Sequence, residues 1–141
     1  MFDKQKFVVD CNAVRRQSPL VHNITNYVAM NIAANGLLAI GASPLMSFCP
    51  EEMEEIVGIS SALAINIGCL DSQQINAMHK AAEAANAQDK PWVLDPVGAG
   101  ASALRTSTAL DLITQYKPAI IRGNASEIMF LAKALGFNSE N

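Results

Sequence analysis

A chain of 141 residues with 50% apolar and 16% charged side chains is long enough to bury a core and fits one compact domain. Its net charge of −3, with Lys and Arg scattered along the sequence, excludes a nucleic-acid surface or a polybasic membrane anchor and leaves a small molecule as the expected partner. No apolar run approaches the ~18 residues that cross a bilayer, and the N-terminus carries no cleavable leader pattern, so a cytoplasmic protein is expected.

In chain order, residues 4–17 place Phe7, Val8, Cys11 and Val14 at helical spacing between charges, an amphipathic first helix that Pro19 stops. Leu20 and Val21 read as a short apolar link into the polar turn His22-Asn23-Ile24-Thr25-Asn26. The asparagines of that turn offer caps for a helix carrying Met30, Ala33, Ala34, Leu37 and Leu38 up to Gly41. Residues 43–48 form a short strand, and the next helix starts at Cys49-Pro50-Glu51-Glu52, with proline in its first position and carboxylates at its positive end. A second strand spans 63–67 and closes on Gly68. Asp71 and Gln74 then have the spacing of a capping box, for a helix with Ile75, Met78, Ala82 and Ala85 on one face. Pro91 to Asp95 is a third strand, followed by the turn Pro96-Val97-Gly98-Ala99-Gly100 and a helix over 104–116 with Leu110 and Ile113 inward. The fourth strand, Pro118 to Arg122, is expected to bury Ala119 to Ile121. The last helix runs from Asn124 to Leu135, with Gly136 as its C-terminal glycine.

Strand and helix alternate over short linkers without an internal repeat, which gives an α/β fold with a mainly parallel sheet flanked by helices. Parallel strands bring their C-terminal ends to one side. The Gly-bearing turns Asn66-Ile67-Gly68, Asp95-Pro96-Val97-Gly98 and Arg122-Gly123-Asn124 are therefore expected to share a crevice. The three cysteines, Cys11, Cys49 and Cys69, lack metal-ligand spacing and have apolar neighbours, the pattern of reduced structural thiols.

Several positions suit either packing or chemistry. Asn124-Ala125-Ser126-Glu127 is a capping box, and the same helix N-terminus would suit a phosphate, with Glu127 near a cation. Arg122, after three apolar residues, is either a solvated strand end or a clamp whose planar fork matches phosphate. Asp95, after Trp92-Val93-Leu94, either caps the next turn or holds Mg2+ through water. Gly98-Ala99-Gly100 lacks both the Gly-x-Gly-x-x-Gly fingerprint and the Gly-Lys-Ser/Thr of a Walker loop, and alone it signals little. His22 is a hydrogen-bonded core residue or a catalyst, and Met46 fits core packing or a flat heteroaromatic ligand. His79 and the acidic run from Glu51 to Glu55 read as solvated helix faces.

Taken together, Pro19-Leu20-Val21-His22-Asn23-Ile24-Thr25-Asn26, Gly41-Ala42-Ser43-Pro44-Leu45-Met46, Asn66-Ile67-Gly68, Leu94-Asp95-Pro96-Val97-Gly98-Ala99 and Ile121-Arg122-Gly123-Asn124-Ala125-Ser126-Glu127-Ile128 closely resemble the hydroxyethylthiazole kinase family, over residues 15–136. The resemblance implies a ribokinase-like fold and transfer of the ATP γ-phosphoryl group to the hydroxyl of 4-methyl-5-(2-hydroxyethyl)thiazole in thiamine biosynthesis, with Mg2+ required. It implies a homotrimer with sites at subunit interfaces. Met46, Asn26 and Gly68 would contact the thiazole, Arg122 and Asn124 the ATP, and Asp95 and Glu127 would organise Mg2+ and its waters.

The resemblance further implies that a family member continues well beyond Asn141, through a nucleotide-binding Thr, a Gly-Thr-Gly-Cys anion-hole turn and helices covering the nucleotide. Residues 1–141 are then expected to be the N-terminal portion of a single ribokinase-like domain, a truncated sheet with an unpaired edge. No catalytic residue is expected within it, and little kinase activity from it alone. A non-catalytic thiazole-binding remnant, one half of a split kinase, and a sugar or pyrimidine kinase of the same fold are the alternatives.

Overall fold

The computed structural model describes residues 3–137 and alternates helix and strand through them. Asp3 opens α1 (Lys4–Gln17) by accepting the N–H groups of Gln5 and Lys6, while Arg15 and Arg16 stand at its negative end and Ser18 closes it in a left-handed conformation. Then follow β1 (Leu20–Ile24), α2 (Met30–Ile40), β2 (Ser43–Met46), α3 (Met53–Ile59), β3 (Ala62–Asn66), α4 (Ser72–Ala87), β4 (Trp92–Asp95), α5 (Ala103–Tyr116), β5 (Ile120–Ile121) and α6 (Ala125–Ala134).

The strands form one parallel sheet in the order β2-β1-β3-β4-β5. Because the chain first steps outward to β2 and then returns past β1, right-handed crossovers put α2 on one face and α3, α4 and α5 on the other. Register places His22, Ile24, Leu63, Ile65, Trp92 and Leu94 on the second face. The apolar members of that set pack there with Met53 and Val57 of α3, Met78 and Ala81 of α4, and Ala109 and Leu112 of α5. Side chains this deeply buried contribute roughly 1.5–3 kcal/mol each for the larger aliphatics, which makes this layer the main source of stability.

The expected α/β sheet is present, with several local differences. Residues 20–24 are a strand inside the sheet and not a link and a turn. His22 and Asn23 made the segment look like surface, yet they are 0% and 6% exposed because His22 Nε2 donates to Ser47 O and Asn23 Nδ2 to Val21 O. α3 begins only at Met53, since residues 50–52 form a turn, so Glu54 and Glu55 supply its first-turn carboxylates. On α5 the buried positions are Thr108, Ala109 and Leu112, with Leu110 and Ile113 only partly covered.

Ala119, Ile120 and Ile121 are exposed and not buried as expected. β5 pairs with β4 alone, at Val93↔Ile120 and Leu94↔Ile121, and is a sheet edge among the described residues. The Asp71 carboxylate caps α4 through the Gln74 N–H, but the Gln74 side chain turns away to donate to Tyr27 Oη at 3.1 Å, so only half of the expected box forms. His79 is half-buried against Tyr116 instead of solvated, and Cys49 is exposed on its turn. No helix among the described residues is long and apolar enough to cross a membrane.

Candidate functional site

The C-terminal ends of β3 and β4 stand side by side, with Asn66 opposite Asp95 in register. Strand alternation points Asn66, Asp95, Asn23 and Met46 to the same face, the one away from the main core. Asn66 Nδ2 donates to Asp95 Oδ2 at 2.7 Å, while its Oδ1 accepts from Asn26 Nδ2 at 2.8 Å and from the Gly68 N–H at 2.9 Å. Those three bonds fix which end of the amide is which. They also explain Gly68, because a Cβ there would stand 2.7 Å from Asn26 Nδ2 and 2.8 Å from Asn66 Oδ1.

Arg122 follows β5 and its Nη2 lies 2.9 Å from Asp95 Oδ2. The arginine side chain is 73% exposed and the aspartate 14%. With its guanidinium end open to water the pair holds weakly, about 0–1 kcal/mol, so Arg122 can exchange this partner for an incoming anion at little cost. Asp95 Oδ1 makes no hydrogen bond among the described residues.

Glu127 closes the third turn. Its Oε2 accepts the Asn124 N–H at 2.9 Å while Asn124 Oδ1 accepts the Glu127 N–H at 3.0 Å, the reciprocal capping box that the sequence spacing predicts. Its other oxygen reaches across the crevice to accept the Gly98 N–H at 2.9 Å. Glu127 is thus only 8% exposed, and a Cβ on Gly123 would meet Oε2 at 2.8 Å, which is why glycine precedes the cap. The first-turn amides of α6 lie at the positive end of its dipole, beside Arg122.

One residue of the crevice escaped the sequence reading. Arg105 of α5 donates from Nη1 to Ile67 O at 2.8 Å and to Val97 O at 3.0 Å, and from Nη2 to Gly68 O at 3.1 Å. A signal for it exists. Ser102 is the N-cap of α5, so Arg105 puts a cation in a helix first turn, where the dipole disfavours it by ~0.3–1 kcal/mol. Such a residue needs compensation elsewhere, and three carbonyl oxygens supply it.

Of the residues that the sequence singles out, Asp95, Arg122, Asn124 and Glu127 therefore meet in one crevice, and Asn26 and Gly68 join it through Asn66. Met46 does not reach this network. It ends the edge strand β2, two strand spacings from β3, which is roughly 10 Å. Next to it His22 is fully buried, with Nδ1 lacking any hydrogen bond, and burial pushes its pKa below the ordinary 6.5 against smaller opposing effects of the Ser47 carbonyl and the Glu52 charge. Ser47 Oγ hydrogen-bonds to Glu52, and Tyr27 and Phe48 stack edge to face at 6.0 Å on the same side. A separate cavity of about 470 Å³ lies between α3 and α4, lined by Glu51, Glu54, Lys80 and Glu83, and no strand-end residue borders it.

The model of the hydroxyethylthiazole kinase family matches residues 11–138. The hydroxyethylthiazole kinase of Brachyspira hyodysenteriae is 60% identical over 119 residues, covering 84% of this chain and 45% of that protein. The solved structure of a hydroxyethylthiazole kinase protein from Pyrococcus horikoshii superposes with a TM-score of 0.88 at 48% identity, over 93% of this chain and 52% of that one. An adenosine kinase from Schistosoma mansoni, at 14% identity and a TM-score of 0.55, shares the fold alone, which is the ribokinase-like arrangement. The chain spans about half the length of the relatives it matches.

Proposed function

Because the chain belongs to the hydroxyethylthiazole kinase family, we propose that it serves transfer of the ATP γ-phosphoryl group to the hydroxyl of 4-methyl-5-(2-hydroxyethyl)thiazole, a step of thiamine biosynthesis. One observation carries the reading. A solvent-facing guanidinium, two carboxylates and a helix N-terminus meet at the C-terminal ends of β4 and β5, a constellation suited to a polyphosphate and its cation.

Arg122 would hold the ATP phosphates by exchanging Asp95 for phosphate oxygens, and the amides following Asn124 would face the same anion. Mg2+ would be organised by Asp95 and Glu127. Among the described residues no three His, Cys, Asp or Glu side chains converge on one point, so an all-protein metal cage does not fit. Two carboxylates beside a phosphate site do fit, because Mg2+ keeps several waters and takes much of its coordination from substrate phosphates. When bound, the ion would neutralise the charge that develops on the phosphates during transfer. Asn26, Gly68 and Met46 would bound the thiazole. Phosphoryl transfer asks chiefly for positioning and charge neutralisation, which this set can supply.

The reading extends to a cytoplasmic homotrimer, with thiazole sites between protomers. Its support is the exposed apolar row Tyr27, Val28 and Ile32 beside Asn26, of which Val28 is 92% exposed, and the presence of free thiols at Cys11, Cys49 and Cys69. Calorimetric titration of the 141-residue chain with ATP·Mg2+ and with the thiazole, alongside thiazole-dependent ADP release, tests it. Saturable binding of both ligands is expected, with ATP·Mg2+ binding lost in Arg122→Ala. Absence of binding for both would overturn the reading, and thiazole binding without any interaction with ATP would leave a binding module.

A further inference from the structure

Arg105 stands behind the crevice, on the side of α5, and its three acceptors belong to two different turns. A trans peptide is planar, with its C=O and N–H pointing in opposite directions, so fixing one end aims the other. The Ile67–Gly68 peptide has its carbonyl 2.8 Å from Arg105 Nη1, and its N–H donates to Asn66 Oδ1 at 2.9 Å. The Val97–Gly98 peptide has its carbonyl 3.0 Å from the same Nη1, and its N–H donates to Glu127 Oε1 at 2.9 Å. Asn66 in turn donates to Asp95 Oδ2 at 2.7 Å.

Two peptide planes thus run from one guanidinium to the two acids, one directly to Glu127 and one through Asn66 to Asp95. We propose that Arg105 is the positioning residue of the Asp95–Glu127 pair, setting where both carboxylates stand while itself staying away from any substrate. The inference rests on the reading of those acids as the cation side of a kinase site.

The local chemistry favours this role over simple packing. A methionine would fill the same space without placing a cation in a helix first turn, and a lysine lacks the planar fork that serves several carbonyls at once. Gly98 adopts φ +75°, a left-handed conformation that suits glycine, and a Cβ there would stand 3.0 Å from Arg105 Cδ. The backbone has therefore taken up the one orientation that serves Arg105 on one side and Glu127 on the other.

The test uses the isotope-labelled chain as the parent and as Arg105→Met, Arg105→Lys, Glu127→Ala and the Arg105→Met/Glu127→Ala double variant. The amide proton shifts of Gly68 and Gly98 are recorded by NMR, and Mn2+·ATP affinity is measured by water-proton relaxation. Both amide protons are expected to move upfield in Arg105→Met, as their hydrogen bonds lengthen, and partly so in Arg105→Lys. Mn2+·ATP affinity is expected to fall on the order of tenfold in Arg105→Met, the usual effect of losing an outer-shell partner, and in the double variant by less than the product of the two single losses, because with Glu127 gone Arg105 acts on Asp95 alone. Unmoved Gly68 and Gly98 amides, or losses that multiply in the double variant, would overturn the proposal. Should Arg105→Met fail to fold, Arg105→Lys is judged by the same two readings. A parent chain that binds no Mn2+·ATP would sink the kinase reading of the site, while the amide shifts would still decide whether Arg105 aims the two peptides.

Discussion

Glu127→Ala puts the organisation of the crevice to a quantitative test. The side chain accepts two backbone N–H groups, those of Asn124 and Gly98, and is itself 8% exposed. Removing the capping-box half costs about 1 kcal/mol. Leaving the Gly98 N–H without its charged acceptor adds about 1–2 kcal/mol, near the low end because water can reach a half-buried turn. The total of about 2–3 kcal/mol is a large share of a typical 5–15 kcal/mol domain stability. Urea unfolding followed by fluorescence of Trp92, 3% exposed in β4, reads it directly. With a slope of about 1–3 kcal/mol per molar, the midpoint should fall by roughly 0.7–3 M at unchanged slope. Glu127→Gln keeps one acceptor oxygen and presents a second donor to the other N–H, so it should lose about half as much. A Glu127→Ala midpoint within about 0.3 M of the parent would refute the argument, because the two turns would then not depend on this carboxylate.

Acidification is expected to destabilise the fold through His22. Burial lowers its pKa below 6.5, so the unfolded chain binds the extra proton first; stability is complete above about pH 6.5 and declines below it by at most ~1.4 kcal/mol per pH unit. Melting curves between pH 5 and 7.5 check this, and His22→Gln, which can keep a donor to Ser47 O, should flatten the profile. Arg122→Ala should leave stability within about 0.5 kcal/mol of the parent, since the arginine is exposed and Asp95 keeps the Asn66 donor, while abolishing ATP·Mg2+ binding in calorimetry. Equal loss of both would mean that the arginine is structural. Gly68→Ala should drive Asn26 and Asn66 apart at a cost of about 1–3 kcal/mol and weaken thiazole binding before ATP binding, measurable by paired titrations. Ile120→Lys should reduce concentration-dependent association in sedimentation experiments, because it charges the open edge strand at a position that is 60% exposed.

What the sequence disclosed follows from which forces are local. Helix caps depend on neighbours a few residues apart, so Asn124 with Glu127, Asp71 ahead of α4 and Gly41 behind α2 were all legible. The convergence of the strand-end turns was legible as well, because parallel pairing alone enforces it. β1 was hidden, since its His22 and Asn23 are paid for by hydrogen bonds to Ser47 O and Val21 O that no local pattern announces. Burial of β5 was overestimated for a related reason. An apolar triplet records what a segment can pack against, and only the sheet order reveals that nothing described lies beyond it. Arg105 was missed because its partners sit 8 to 38 residues away in sequence.

The row Asn26, Asn66, Asp95 can also be viewed as electrostatics. Each amide donates toward the next acceptor in the same sense, from Asn26 Nδ2 to Asn66 Oδ1 and from Asn66 Nδ2 to Asp95 Oδ2, so two dipoles lie head to tail and end on one negative charge. Such aligned bonds polarise one another in a medium of low dielectric constant. A cation arriving beside Asp95 weakens the pull on the Asn66 amide, and Asn66 then holds Asn26 less firmly. Charge brought to Asp95 is thus felt, across the width of a strand, at the Asn26 amide.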